Sequence, residues 1–187
     1  MALTDDERTK LLQLARNSIG SVLQHSSLPA PEFKDRYLQE PRGVFVTLRM
    51  GGELRGCIGY VEPRLPLGNA VQEVSQKAAF EDPRFAPITL EELSVVEVEI
   101  SVLSPIERVT DINEIEVNKH GLVIDAGFTR GLLLPQVATE YHWDREQFLR
   151  HTAIKAGLPP EAWQKSGVRI YRFTTETFSE HEQVSHQ

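Results

Sequence analysis

Leu11, Leu12, Ala15, Ile19, Val22 and Leu23 recur at the spacing that lines one face of an α-helix. Thr4-Asp5-Asp6-Glu7 precedes them. A Thr followed three residues later by Glu lets each side chain satisfy the other's free backbone amide, so a helix is predicted to open there. Its apolar stripe is expected to bury against a sheet, and Pro29 and Pro31 stop it. The period then shortens. Residues 44–49 and 54–61 are rich in β-branched side chains, and Met50-Gly51-Gly52-Glu53 between them suits a hairpin turn. Beyond Pro63 and Pro66, helical spacing returns with Ala70, Val71, Val74, Ala78 and Ala79, and it breaks at Asp82-Pro83. Thr89-Leu90-Glu91-Glu92 repeats the capping pattern for a short helical turn.

Val96, Val98, Ile100 and Val102 alternate with Glu97, Glu99 and Ser101, which predicts a strand with one wet face, closed by Ser104-Pro105. Residues 122–126 and 132–134 flank Gly127-Phe128-Thr129-Arg130-Gly131, a five-residue hairpin loop. Asp144 can cap a helix reaching Ala156, with Gly157 as left-handed terminator and Pro159-Pro160 beyond. Residues 168–173 form a last strand. The tail after Phe178, with His181 and His186, has little to bury and is expected to be mobile. Strands and helices follow each other without a βαβ rhythm or an internal repeat. The expected fold class is therefore α+β: one domain over residues 1–187, its mixed, mainly antiparallel sheet flanked by helices.

Composition narrows the functional classes. A chain of 187 residues buries roughly 70% of its unfolded surface and needs no disulfide or metal to fold. Twenty Lys and Arg against 27 Asp and Glu give a net charge of -7, which argues against general attraction to nucleic-acid phosphates or anionic lipid. The acidic start lacks the basic and apolar regions of a signal peptide, and no apolar run approaches the ~20 residues that span a bilayer. One cysteine cannot form an internal bridge, so a reducing, cytoplasmic location is expected.

That cysteine is the sharpest chemical clue. In Leu54-Arg55-Gly56-Cys57-Ile58-Gly59 it stands between two glycines, and glycine inside a strand marks a place where another backbone or a ligand comes close. Strand alternation would put Arg55 and Cys57 on one face about 6.6 Å apart along the backbone. A guanidinium there would favour the thiolate by about 2.4 kcal/mol at an effective dielectric of 20, and by about 0.6 kcal/mol in water. A dedicated nucleophile would need a second donor, such as a helix N-terminus or a histidine, with His120, His142 and His151 as candidates. The plainer reading is a small core residue fitted between glycines.

Asp82-Pro83-Arg84-Phe85 offers a carboxylate and a guanidinium in a rigid loop. It reads either as a site for a charged group or as a turn with a local ion pair and Phe85 anchored in the core. Gly131-Leu132-Leu133-Leu134-Pro135-Gln136 reads as a buried strand with an edge proline, and Gln136 can present an amide at its end. Glu97 and Glu99 read as the solvated side of their strand. Six scattered histidines show no metal-site spacing, and no phosphate loop, dinucleotide pattern or nucleophile elbow is present, so neither metal nor cofactor is expected.

Taken in order, the cysteine segment, Ala78-Ala79-Phe80-Glu81-Asp82-Pro83-Arg84-Phe85 and Gly131-Leu132-Leu133-Leu134-Pro135-Gln136-Val137 resemble the AMMECR family, also called AmmeMemoRadiSam system protein A. The resemblance runs from about Leu11 to Phe178. It implies an α+β fold in two unequal lobes meeting at a cleft, and a genomic association with Memo-like and radical-SAM proteins. It carries no settled reaction and no established catalytic residue. Two classes of function follow. One is a partner-binding module using Arg55, Gly56, Gly59, Asp82, Arg84, Phe85 and Gln136. The other is an enzyme or enzyme component using Cys57 as nucleophile or substrate contact.

Overall fold

The computed structural model describes residues 3–181. They divide into two compact units, the first running to Leu103 and resuming at Glu176, the second covering Ser104–Thr175.

The first unit opens with α1 (Asp5–Leu23), started by the expected reciprocal cap: Glu7 N–H donates to Thr4 Oγ1 and Thr4 N–H to Glu7 Oε2. After a short α2 (Arg36–Gln39) come β1 (Val44–Met50) and β2 (Glu53–Tyr60), joined through Gly51 and Gly52. Both glycines have positive φ, 60° and 84°. Two consecutive left-handed residues match the natural twist of a tight hairpin. Then follow α3 (Leu67–Phe80), the single turn α4 (Leu90–Leu93) and β3 (Glu97–Leu103). β1 is central, antiparallel to β2 on one side and β3 on the other. Val44, Val46, Leu48, Val98 and Ile100 point from β1 and β3 into one fully buried core with Val71 and Val74 of α3.

Two expectations change here. α3 lies over β1 and β2, so α1 packs mainly on α3 and reaches the sheet at β3 and, through Arg8, at Glu176. Its buried stripe is Leu11, Leu12, Ala15 and Ile19, extended by Ser18 and Ser21, while Val22 is exposed. The second change concerns β3, whose outer face is only partly wet. Ser101 is buried with its hydroxyl 2.8 Å from that of Thr177, and Glu99 lies 3.8 Å from Arg49.

The C-terminal segment is also held more firmly than its composition suggests. Glu176 accepts the Leu3 amide and the Arg8 guanidinium, and Phe178 is buried. Glu180 accepts two bonds from Arg16 and one from the Val98 amide, 2.6–2.9 Å. An otherwise free strand amide therefore anchors the chain to residue 180. His186 and the rest of 182–187 lie outside the described residues.

In the second unit, β4 (Glu107–Arg108) and a 3-10 turn (Ile112–Glu114) lead to the hairpin of β5 (His120–Asp125) and β6 (Arg130–Leu133). Its loop is four residues, tightened by the Gly127 amide donating to Asp125. α5 (Pro135–Glu140) and α6 (Arg145–Lys155) follow, then a 3-10 turn (Pro160–Gln164) and β7 (Arg169–Ser179), which enters the first unit at Glu176. β5 pairs with β6 and β7, and β7 with β4, all antiparallel. Leu122, Ile124, Phe148, Leu149 and Ala153 form this unit's own core.

Pro135 corrects the sequence reading: it begins a helix and is buried, and the strand stops two residues earlier. Proline's fixed φ and missing amide suit the first helical position. α6 is capped by Asp144 as expected, with Gln147 completing the reciprocal pair, and it ends at the left-handed Gly157. His25 after α1 and His142 after α5 take the same left-handed position, φ 52° and 53°. Among the described residues no helix is long and apolar enough to cross a membrane.

Candidate functional site

β2 is the outer strand of the first unit's sheet. Its register sets Cys57 opposite Thr47, and the Cys57 amide and carbonyl are left for groups beyond the sheet. The loop leaving α3 supplies them. Asp82 Oδ2 accepts the Cys57 N–H at 2.9 Å, and Arg84 Nη2 donates to the Cys57 carbonyl at 3.3 Å. The same two side chains bind each other, Nη2 to Oδ2 at 2.7 Å and Nε to Oδ1 at 3.0 Å, and the Arg84 amide donates to Oδ1 at 3.1 Å. A carboxylate and a guanidinium thus take the place of the next strand, which closes an edge that would otherwise invite pairing. Asp82 is 4% exposed. The Arg84 guanidinium, then the amides of Cys57 and Arg84, hold its carboxyl well below the usual carboxylate range.

The glycines answer to this geometry. A Cβ on Gly56 would strike the Ala78 carbonyl in the last turn of α3, and one on Gly59 would strike the Phe45 ring and the Val44 carbonyl. Both positions are crowded by the protein itself.

Cys57 is half-buried. Thr47 Oγ1 donates to its sulfur at 3.3 Å. Burial pushes the thiol pKa up; the Thr47 hydroxyl and Arg84 pull it back, while Asp82 and Glu99 add to the rise. The direction is opposite to the one expected from Arg55. Burial outweighs the charges around the sulfur, and a bulge takes Arg55 out of the register. Leu48 pairs with Gly56 and Arg49 with Leu54, so Arg55 is an extra residue with no partner on β1. Its guanidinium forms a two-point pair with Glu92, both bonds 2.9 Å, and donates to the Ala86 carbonyl at 3.0 Å. Arg55 ties the 82–92 loop to the strand and leaves the sulfur alone. Phe85 is half-exposed rather than anchored in the core, with Arg84 5.5 Å and Arg55 5.9 Å from its ring centre.

Arg55, Gly56, Cys57, Gly59, Asp82, Arg84 and Phe85 therefore come together in the first unit. Gln136 does not join them; it is exposed on α5 of the second unit. Thr47, Glu92 and Glu99 belong to the site, although the sequence reading gave Glu92 only a capping role, Glu99 only a place on the solvated face of its strand, and Thr47 none. Glu92 carries a signal, the Thr89-x-x-Glu92 cap, and one carboxylate serves both the cap and Arg55. Thr47 carries none that counting can find. Counting outward from the two-residue turn pairs it with Gly56, and only the bulge moves it onto Cys57. Glu99, expected on the solvated side of its strand, lies 3.8 Å from Arg49 with its side chain only 20% exposed. Among the described residues no three His, Cys, Asp or Glu side chains gather closely enough to share a metal ion.

The chain resembles proteins over nearly its full length. A Methanothermobacter thermautotrophicus protein is 45% identical over 185 residues, covering 95% of this chain and 96% of the relative. A Methanocaldococcus jannaschii protein is 43% identical over 186 residues, covering 95% and 92%. The crystal structure of an uncharacterised protein from Pyrococcus horikoshii superposes with a TM-score of 0.85 at 40% identity, over 91% of this chain and 90% of that one. The family model described as AMMECR1 matches residues 12–178, which takes in β2, the 82–92 loop and β6, and the chain belongs to the AMMECR1 family.

Proposed function

We propose that this chain is a non-catalytic binding module that recognises a Memo-like or radical-SAM protein through the surface built on residues 55–59 and the loop from Asp82 to Phe85. One observation carries the reading. The groups around Cys57 are spent on fixing backbone: Asp82 and Arg84 close the strand edge, and Arg55 is committed to Glu92 and Ala86. The thiol they surround is held above its ordinary pKa, the wrong direction for a nucleophile at neutral pH. What remains available to a partner is a rigid, charged surface, with Arg84 55% exposed beside Phe85. Such surfaces set specificity and association rate through complementary charge.

The test is a binding titration with a purified Memo-like protein from the same source, beside a metabolite-turnover screen. Cys57→Ser keeps the affinity, because a hydroxyl fills the same space. Arg84→Glu weakens it by about tenfold or more, since it reverses a charge at the surface. Turnover by the wild type that disappears in Cys57→Ser would replace the module with a thiol enzyme.

A further inference from the structure

The second unit contains an open cavity of about 530 Å³, within the range of small-molecule sites. Its floor is Ile115 and Ala138, both fully buried members of the second core, with Val117 and Trp143 as apolar walls. The polar groups at its mouth are unequally spent. Asp144 accepts the Gln147 amide at 2.8 Å, and Glu116 accepts Lys119 Nζ at 2.8 Å. The Asn118 carbonyl oxygen accepts the Thr139 hydroxyl at 2.9 Å, which leaves its two amide hydrogens. Arg145 donates Nε to the Ile115 carbonyl and Nη1 to Asn113, both 2.9 Å, and among the described residues nothing accepts from Nη2. Donors are left on Arg145 and Asn118, and each carboxylate uses only one of its two oxygens.

We infer that this cavity is a binding site for a small organic acid, its carboxylate on the Arg145 guanidinium and the Asn118 amide and a short apolar body over Ile115 and Ala138. Among the lining residues Glu116 and Asp144 face the single guanidinium of Arg145, so selection rests on hydrogen-bond geometry rather than on net field. A guanidinium whose orientation is fixed through Nε presents its amino groups to a carboxylate at little entropic cost. Asn118 is placed by its own backbone: its φ of 76° lies in the left-handed region, which asparagine tolerates better than most residues.

The experiment is a ¹⁵N–¹H NMR titration of the full chain with isovalerate, against isoamylamine and isovaleramide as same-shaped probes without the carboxylate, and N-acetyl-valine as a peptide-end mimic. Saturable shifts at Asn118, Thr139 and the Trp143 indole are expected with isovalerate alone. Asn118→Gly keeps the left-handed backbone and removes the amide, and it weakens binding several-fold with an unchanged melting midpoint. Arg145→Lys keeps the charge, loses the fork, and weakens binding further. No saturable shift up to about 10 mM, ten times a millimolar dissociation constant, would overturn the inference, as would equal response to the amine or the amide. Tighter binding of N-acetyl-valine would also overturn it, by reassigning the cavity to a peptide terminus. None of these outcomes bears on the binding surface of the first unit.

Discussion

Gly56 and Gly131 stand in the outer strands β2 and β6, and at each a Cβ would meet the backbone at the end of a helix, Ala78 of α3 in one case and Ala156 after α6 in the other. The two units use glycine alike and surround it differently. Beside Gly131, Thr129 Oγ1 donates to the Ala156 carbonyl at 2.6 Å and Leu133 packs into the second core, so the contact serves packing. Beside Gly56 the strand edge is saturated by a buried carboxylate and a half-exposed guanidinium. A strand glycine therefore reports a close approach of backbone. Whether the place also recognises something depends on which groups satisfy the neighbouring amides and how much of them reaches water.

The largest effect expected is steric and common to both regions. Gly56→Val and Gly131→Val should each destabilise by about 3 kcal/mol, the upper range for forcing added atoms into a packed site. Chemical denaturation checks this, and an unchanged midpoint for either variant would break the parallel. The next effect belongs to β2 alone. Asp82→Asn should cost about 2 kcal/mol at neutral pH, the scale of losing a charged partner to buried donors. Because the folded pKa of Asp82 lies below its unfolded value of about 3.9, its contribution is whole above that pH and is lost as pH falls toward the folded value. The stability gap between wild type and Asp82→Asn should therefore close in acid; a constant gap from pH 7 to pH 2.5 would show that its charge is irrelevant.

The smallest effect concerns the thiol. Alkylation of the native protein should show an inflection above the ~8.5 of a free cysteine, since burial outweighs the Thr47 hydroxyl and Arg84. Thr47→Val removes a donor to the sulfur and should move the inflection higher still. An inflection below the reference would mean that the charges around β2 activate the thiol, and the contrast with β6 would become one of catalysis rather than recognition.

Much of this was legible along the chain. The caps at Thr4, Thr89 and Asp144 lie three residues from their partners, and the turn at Gly51-Gly52 needs only local backbone preference, so short-range chemistry placed α1, α4, α6 and the β1–β2 hairpin. The alternation in β3 and the period of α3 likewise named the buried residues. The short α2, the 3-10 turns and β4 carry too few residues to show a period. The candidate residues were found by type: a cysteine between glycines, and a carboxylate and guanidinium two residues apart.

Their roles were decided by separations that no local pattern encodes. Glu92 lies 37 residues from Arg55, and Asp82 lies 25 from Cys57. A one-residue bulge turned Arg55 toward the first of these and away from the sulfur. Glu180, 82 residues from Val98, fixed a tail whose composition suggested motion. Sequence determined the elements and the inventory of charged groups because helix caps, turns and periodicity are energies of neighbouring residues. Tertiary structure decided which charge meets which, because a guanidinium or an exposed amide takes whatever acceptor the packed chain brings within 3 Å, and strand register and helix ends set that.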